Sequence, residues 1–177
     1  MAKHNEIGKI GENVAVKYLK NNGFLIIERN FLCKMGEIDI IAKKNIPLHM
    51  KDPILNREEL FNLETVSCET GNMQNIKKNE AIELKKSVTH EKLYFIEVKT
   101  KSVELFSDVK YLKNDIFAPE NNFNHKKKQR MFRAIKYYLF KNNLNLDVNC
   151  EISLLIVYLN EKLKQGKVKF YETVILS

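Results

Sequence analysis

The chain is poor in the residues that staple, coordinate or break a fold. Its three cysteines, Cys33, Cys68 and Cys150, are widely separated and odd in number. That argues against a disulfide framework and a thiolate zinc site, and leaves them as reduced packing residues. Histidine is equally sparse: His4, His49, His90 and His125 form no ligand spacing, so zinc is not expected. His125 reads as a loop residue rather than a base. No apolar run approaches the roughly 18 residues of a membrane span. The first twenty residues alternate charged and apolar positions, so a cytoplasmic protein with no membrane attachment is expected. There is no internal repeat and no tandem low-complexity tract.

What is abundant is positive charge. Thirty Lys and Arg against 22 Asp and Glu give a net charge of +8 over 177 residues, which points to a polyanionic partner. A chain of this length fits one domain, 1–177, and buries about 70% of its unfolded surface without cross-links. The surplus is uneven. Seven basic and two acidic residues lie between Glu120 and Asn149, whereas Lys44 to Glu91 carries seven and eight.

Helical spacing of Ile7, Ile10, Val14, Ala15, Tyr18 and Leu19 predicts a first helix, stopped by Asn21-Asn22-Gly23. Phe24 to Phe31 and Glu37 to Ala42 read as strands joined through Lys34-Met35-Gly36. Lys44 to Glu91 holds Pro47, Pro53 and Gly71 with many Asn residues. It is too long for a loop in a compact domain and reads as an insertion outside the core, disordered in part. Weak patterns within it suggest short helices near Asn56 to Leu63 and Asn79 to Lys86. Lys92 to Lys101 is the third strand, followed by an irregular stretch from Ser102 to Asn124 that contains Pro119. Met131, Phe132, Ile135, Tyr138 and Leu139 give a second helix, entered through His125-Lys126-Lys127-Lys128-Gln129-Arg130. Cys150 to Leu159 is a continuous apolar run consistent with a buried strand, and Lys167 to Leu176 is the last strand. The order predicts an α/β sandwich with helices flanking a mixed β-sheet.

The stretch Tyr94-Phe95-Ile96-Glu97-Val98-Lys99-Thr100 sets a carboxylate and an ammonium on one face of an otherwise apolar strand. Charges so placed need each other, a metal or a substrate. In Gly36-Glu37-Ile38-Asp39-Ile40-Ile41, alternation puts Glu37 and Asp39 on one face with Ile38 and Ile40 on the other. If the two strands are neighbours, Asp39 and Glu97 form a metal site for Mg²⁺ or Mn²⁺, and Lys99 stands ready to orient a water or stabilise charge. A surface Glu-Lys ion pair is the plain alternative. Glu12, beside the apolar stripe of the first helix, is either a solvated rim residue or an acid reaching this cluster. Lys126, Lys127, Lys128 and Arg130 oppose the helix dipole at the second helix's N-terminus. They are either a solvated charge run or a nucleic-acid-binding surface compensated by phosphate.

Gly11-Glu12, Gly36-Glu37-Ile38-Asp39-Ile40-Ile41, Phe95-Ile96-Glu97-Val98-Lys99-Thr100 and Lys128-Gln129, in that order, resemble the YraN family of uncharacterised bacterial proteins. That family in turn resembles the PD-(D/E)xK nucleases, archaeal Holliday-junction resolvases among them. The resemblance covers about 120 residues. It implies a restriction-endonuclease-like sandwich with a long insertion, 44–91, between the second and third strands. It also implies Asp39 and Glu97 as metal ligands, Lys99 as catalytic lysine and Glu12 as auxiliary catalytic acid. Ser153 stands where the family tends to have Asp. The function expected is metal-dependent hydrolysis of phosphodiesters in nucleic acid, DNA rather than RNA, during repair or recombination. A non-catalytic nucleic-acid-binding protein that keeps the fold is the alternative, and a scaffold docking a protein partner through its insertion is a third. Resolvase-like enzymes act as dimers, which makes a homodimer an open partner.

Overall fold

The structure, a computed structural model, describes residues 2–47, 58–63, 89–104, 125–145 and 147–171. Its elements are α1 (Ala2–Asn21), β1 (Leu25–Cys33), β2 (Gly36–Pro47), β3 (Glu58–Asn62), β4 (Thr89–Ser102), α2 (His125–Lys141), β5 (Cys150–Asn160) and β6 (Gln165–Tyr171). The strands form one sheet in the order β1-β2-β4-β5-β6-β3. β4 and β5 run parallel, and every other pair is antiparallel, so the sheet is mixed as expected.

Each helix covers one face. Val14, Ala15, Tyr18 and Leu19 of α1 pack on Ile40, Tyr94, Ile96, Leu155 and Phe170. Met131, Ala134, Ile135, Tyr138 and Leu139 of α2 pack on Ile41, Phe95, Leu154, Ile156 and Tyr158. This two-sided cover explains the unbroken apolar run of β5, whose alternate residues enter the two clusters. The molecule is an α/β sandwich consistent with the restriction-endonuclease-like architecture.

α1 ends in a left-handed cap: Gly23 has φ +81°, its amide bonds to the Lys20 carbonyl, and the Phe24 amide reaches Leu19 O at 3.0 Å. Asn143 (φ +54°) ends α2 the same way, with Leu144 N bonded to Leu139 O at 2.9 Å.

Several expectations need correction. Where a short helix was expected near Asn56 to Leu63, the described residues Glu58–Asn62 are β3, hydrogen-bonded along β6 at the sheet edge. Phe61 enters the core beneath α1 while Leu60 points to solvent, the alternation of a strand, and burial there overrides local propensity. The insertion is therefore not wholly outside the core. Its two ends are sheet as well, since the β2·β4 ladder continues through Asn45↔Glu91, Ile46↔His90 and Pro47↔Thr89. The helix expected at Asn79 to Lys86 lies outside the described residues, as do positions 172–176 of the last strand. His125 is the first residue of α2 rather than a loop residue.

Strict alternation also fails in β2. Ile38 joins the α2-facing cluster and Ile40 the α1-facing one, so the strand changes face at Asp39. On β1 the matching change falls at Asn30, held at φ +53°. The ladder passes from Arg29↔Ile40 to Phe31↔Ile38 across this pair. A local twist here frees Asp39 from the regular pleat.

Candidate active site

The β2·β4 ladder begins at Ile40↔Ile96, and beyond it the two strands separate. Asp39 stands in this fork. Its Oδ2 accepts a hydrogen bond from the Val98 amide at 2.7 Å, so the carboxylate takes the β4 donor at the position where the ladder has ended. Glu97 and Lys99, two positions apart on β4, share a face as the strand period requires, and Lys99 Nζ lies 2.7 Å from Glu97 Oε1.

Two further elements close the site. α1 lies so near β4 that a Cβ on residue 11 would fall 1.9 Å from Thr100 Oγ1, and only glycine permits the approach. This brings Glu12 to the pocket mouth, where Arg29 (3.5 Å) and Asn30 (3.3 Å) from β1 hold its Oε2. On the other side, the first turn of α2 sends Lys127 Nζ to 2.6 Å from Glu97 Oε1 and 3.6 Å from Glu37 Oε1. Asp39, Glu97, Lys99, Glu12 and Lys127 line one cavity of about 200 Å³ with Thr100 at its wall.

The electrostatics of this cavity are unbalanced. Glu97 is 0% exposed; its Oε1 takes both ammonium contacts, and its Oε2 is buried with no hydrogen-bond partner among the described residues. Burial, then the charge of Glu97, pushes the Asp39 carboxyl up to about 7, against the pull of the Val98 amide and Lys127. Burial works to lower the Lys127 ammonium, but its hydrogen bond to Glu97 and the Glu97 and Asp39 charges outweigh that and push it up to about 12.

A hard divalent cation fits this donor set. It takes carboxylate oxygens with water or phosphate oxygens completing the shell, and the orphaned Glu97 Oε2 beside a reluctantly ionised Asp39 is a place where added positive charge is favourable. Among the described residues no three His, Cys, Asp or Glu side chains form a ligand cluster; a cation in this cavity would be held by Asp39 and Glu97, whose carboxylates feel each other's charge.

The residues expected at the α2 N-terminus divide. Lys126, Lys127 and Arg130 line a second, larger groove of about 550 Å³ with Leu32, Gly36, Glu37 and Met131. Lys128 is half-buried and lines neither cavity. Gly36 permits this packing, because a Cβ there would meet the Arg130 carbonyl oxygen at 2.9 Å. Glu37 belongs to the groove and is separated from Asp39 by the face change in β2. Ser153 is fully buried on β5 opposite Ile96, with its hydroxyl unpartnered among the described residues, and it does not line the carboxylate cavity. Sequence reading placed Lys127 with its neighbours in a nucleic-acid-binding surface or a solvated charge run and missed its contact with Glu97. The signal was present, since position 127 is four residues before Met131 and continues the stripe 131, 134, 135, 138 that α2 turns to the core.

Comparison with known proteins agrees with the motif order. The family model described as "Uncharacterised protein family UPF0102" matches residues 11–87, which include Glu12, Glu37 and Asp39. A UPF0102 protein of Clostridium botulinum (strain Hall) is 39% identical over 115 residues, covering 62% of this chain and 92% of the relative. Another from Clostridium botulinum (strain 657) is 33% identical over 113 residues, with the same coverage. A UPF0102 protein of Campylobacter hominis is 55% identical over 47 residues, 27% of this chain and 42% of its own length. Relatives matched over nearly their whole length, on a sandwich whose motifs fall in family order, establish that this chain belongs to UPF0102, the YraN family.

Proposed function

We propose that the protein hydrolyses phosphodiester bonds of nucleic acid, DNA in the first instance, with a divalent metal ion held by Asp39 and Glu97. One observation carries this reading: two carboxylates 58 positions apart converge on one small cavity beside Lys99, and one of them keeps a buried, unpartnered oxygen. A purely structural pair would close both oxygens. When bound, Mg²⁺ or Mn²⁺ supplies a nucleophilic water and neutralises phosphate charge.

The chain's own groups do the rest. Asp39 is held by the Val98 amide, so its free oxygen keeps a fixed direction. Lys99, on the face of Glu97 and anchored to its Oε1, orients the attacking water or stabilises charge as it develops on the phosphate. Glu12, clamped by Arg29 and Asn30, acts as an auxiliary acid at the pocket mouth. Lys126 and Arg130 hold the substrate backbone in the adjoining groove without reading bases, so affinity falls steeply with salt.

The test is incubation of the full chain with branched, single-stranded and duplex DNA in Mg²⁺ or Mn²⁺, beside Asp39→Ala and Lys99→Ala. Cleavage by the wild type, reduced by about 100-fold or more in both variants, supports the enzyme. Salt-dependent binding with no cleavage by any of the three assigns the protein instead to non-catalytic nucleic-acid binding.

A further inference from the structure

Glu97 Oε1 carries two ammonium groups, at 2.7 Å (Lys99) and 2.6 Å (Lys127), and the two are not equivalent. Lys99 grows from the same strand as Glu97 and lines only the carboxylate cavity. Lys127 comes from another element, lines both cavities, and has a second carboxylate, the exposed Glu37, at 3.6 Å on its groove side. Its side chain is therefore the partition between the site and the groove.

We infer that Lys127 and a divalent cation compete for Glu97, and that the displaced ammonium moves to the Glu37 side, where it joins Lys126 and Arg130 in gripping the phosphate backbone. This rests on the proposed metal-dependent reading and deepens it. A doubly charged ion against Glu97 and Asp39 repels both ammonium groups, and the one with an alternative carboxylate leaves more readily. Metal and polyanion then favour each other's binding, because each is served by the same position of Lys127, and the coupling is reciprocal.

Two measurements on the full chain test this without relying on turnover. In the first, Mn²⁺ binding is followed by electron paramagnetic resonance in the wild type, Lys127→Met and Glu37→Gln. Removing the competitor is expected to tighten Mn²⁺ by about tenfold. Removing the second carboxylate confines the ammonium to Glu97 and weakens Mn²⁺ by about two- to fivefold. In the second, the salt dependence of duplex DNA binding is measured with and without Ca²⁺. Wild type gains one phosphate contact with the ion, steepening the log–log slope by about 0.9, and Lys127→Met shows no such change.

Equal Mn²⁺ affinity in wild type and Lys127→Met overturns the competition and leaves the metal site standing. Failure of either protein to bind Mn²⁺ overturns the metal reading and the competition together. Should Lys127→Met not fold, Glu37→Gln decides: it alters an exposed surface carboxylate, and unchanged Mn²⁺ affinity with an unchanged DNA salt slope overturns the proposal.

Discussion

Two acid–base clusters share strand β4 and do different things. At the start of β4 and β5, Lys92 and Glu151 form an ion pair, with Lys92 Nζ also 5.2 Å over the Tyr94 ring. Glu151 is 9% exposed, and neither of its oxygens is left buried and unpartnered. Further along β4, Glu97 is more deeply buried, is met by two cations on one oxygen, and has the other oxygen unpartnered. The first cluster is closed and the second is left open beside Asp39 and a cavity. Residue types alone do not separate them; the count of satisfied oxygens does.

Neutralising each acid in turn separates the closed cluster from the open one. Glu97→Gln is expected to lower the proposed cleavage by about 100-fold or more with the fold retained, because the proposed metal site loses one of its two carboxylates. Glu151→Gln is expected to leave cleavage within about threefold yet lower stability by about 3 kcal/mol, since it strands Lys92 beneath the sheet end. Denaturant unfolding and a cleavage assay on both proteins decide. Activity lost at Glu151 with stability kept would reverse the assignment of the two clusters.

Gly11→Ala comes next, since the open cluster depends on how closely α1 approaches β4. The added methyl would fall 1.9 Å from Thr100 Oγ1, so helix and strand must part. The expected loss is about 2 kcal/mol, with a lower turnover because Glu12 moves with the helix. Replacing Thr100 by Ala in the same chain removes the two atoms at 1.9 Å and 2.7 Å and should recover part of both. An unchanged melting temperature for Gly11→Ala would mean that the close approach does not position Glu12.

Much of this arrangement was legible in the chain because it rests on periodicity. The α1 stripe, the two-faced burial of β5 and the shared face of Glu97 and Lys99 each follow from 3.6- or 2-residue repeats. What escaped was set by distant partners. β3 is a strand because β6 offers an edge and Phe61 finds the core, neither of which is local to residues 58–62. The face change at Asp39 depends on the left-handed Asn30 across the hairpin, and a single-strand pattern carries no sign of it. Lys127 was one of three adjacent lysines, and only the phase of α2 distinguishes it.

The open cluster should also show itself in the pH dependence of folding. Asp39 is raised from an ordinary 3.8 to about 7 by burial and by Glu97. Between those values the folded chain binds more protons than the unfolded one, so stability is full below about 4 and falls as pH rises toward about 7. Asp39 keeps some exposure through the cavity, and solvent screening there holds the fall to the order of 1–2 kcal/mol. In chelator-treated protein, Asp39→Asn should flatten this part of the stability–pH curve and be the more stable protein at pH 8. A curve that keeps its slope in the variant would place the proton uptake elsewhere.

The smallest effect expected is at the rim. Arg29 and Glu12 are 3.5 Å apart with side chains 37% and 26% exposed, so the pair contributes at most about 1 kcal/mol to stability. Its role in the proposed site is directional, because Arg29 NH2 also donates to Asn13 Oδ1 at 2.9 Å and so grips two neighbouring residues of one helix. Arg29→Met should therefore leave the melting curve almost unmoved while lowering turnover by about three- to tenfold, through a Glu12 that no longer faces the cavity. Asn30 retains its 3.3 Å contact with Glu12, which keeps the loss short of that for Glu12→Gln. Equal activity in Arg29→Met and wild type would reduce Glu12 to a solvated rim residue, and with it the contribution of α1 to the chemistry.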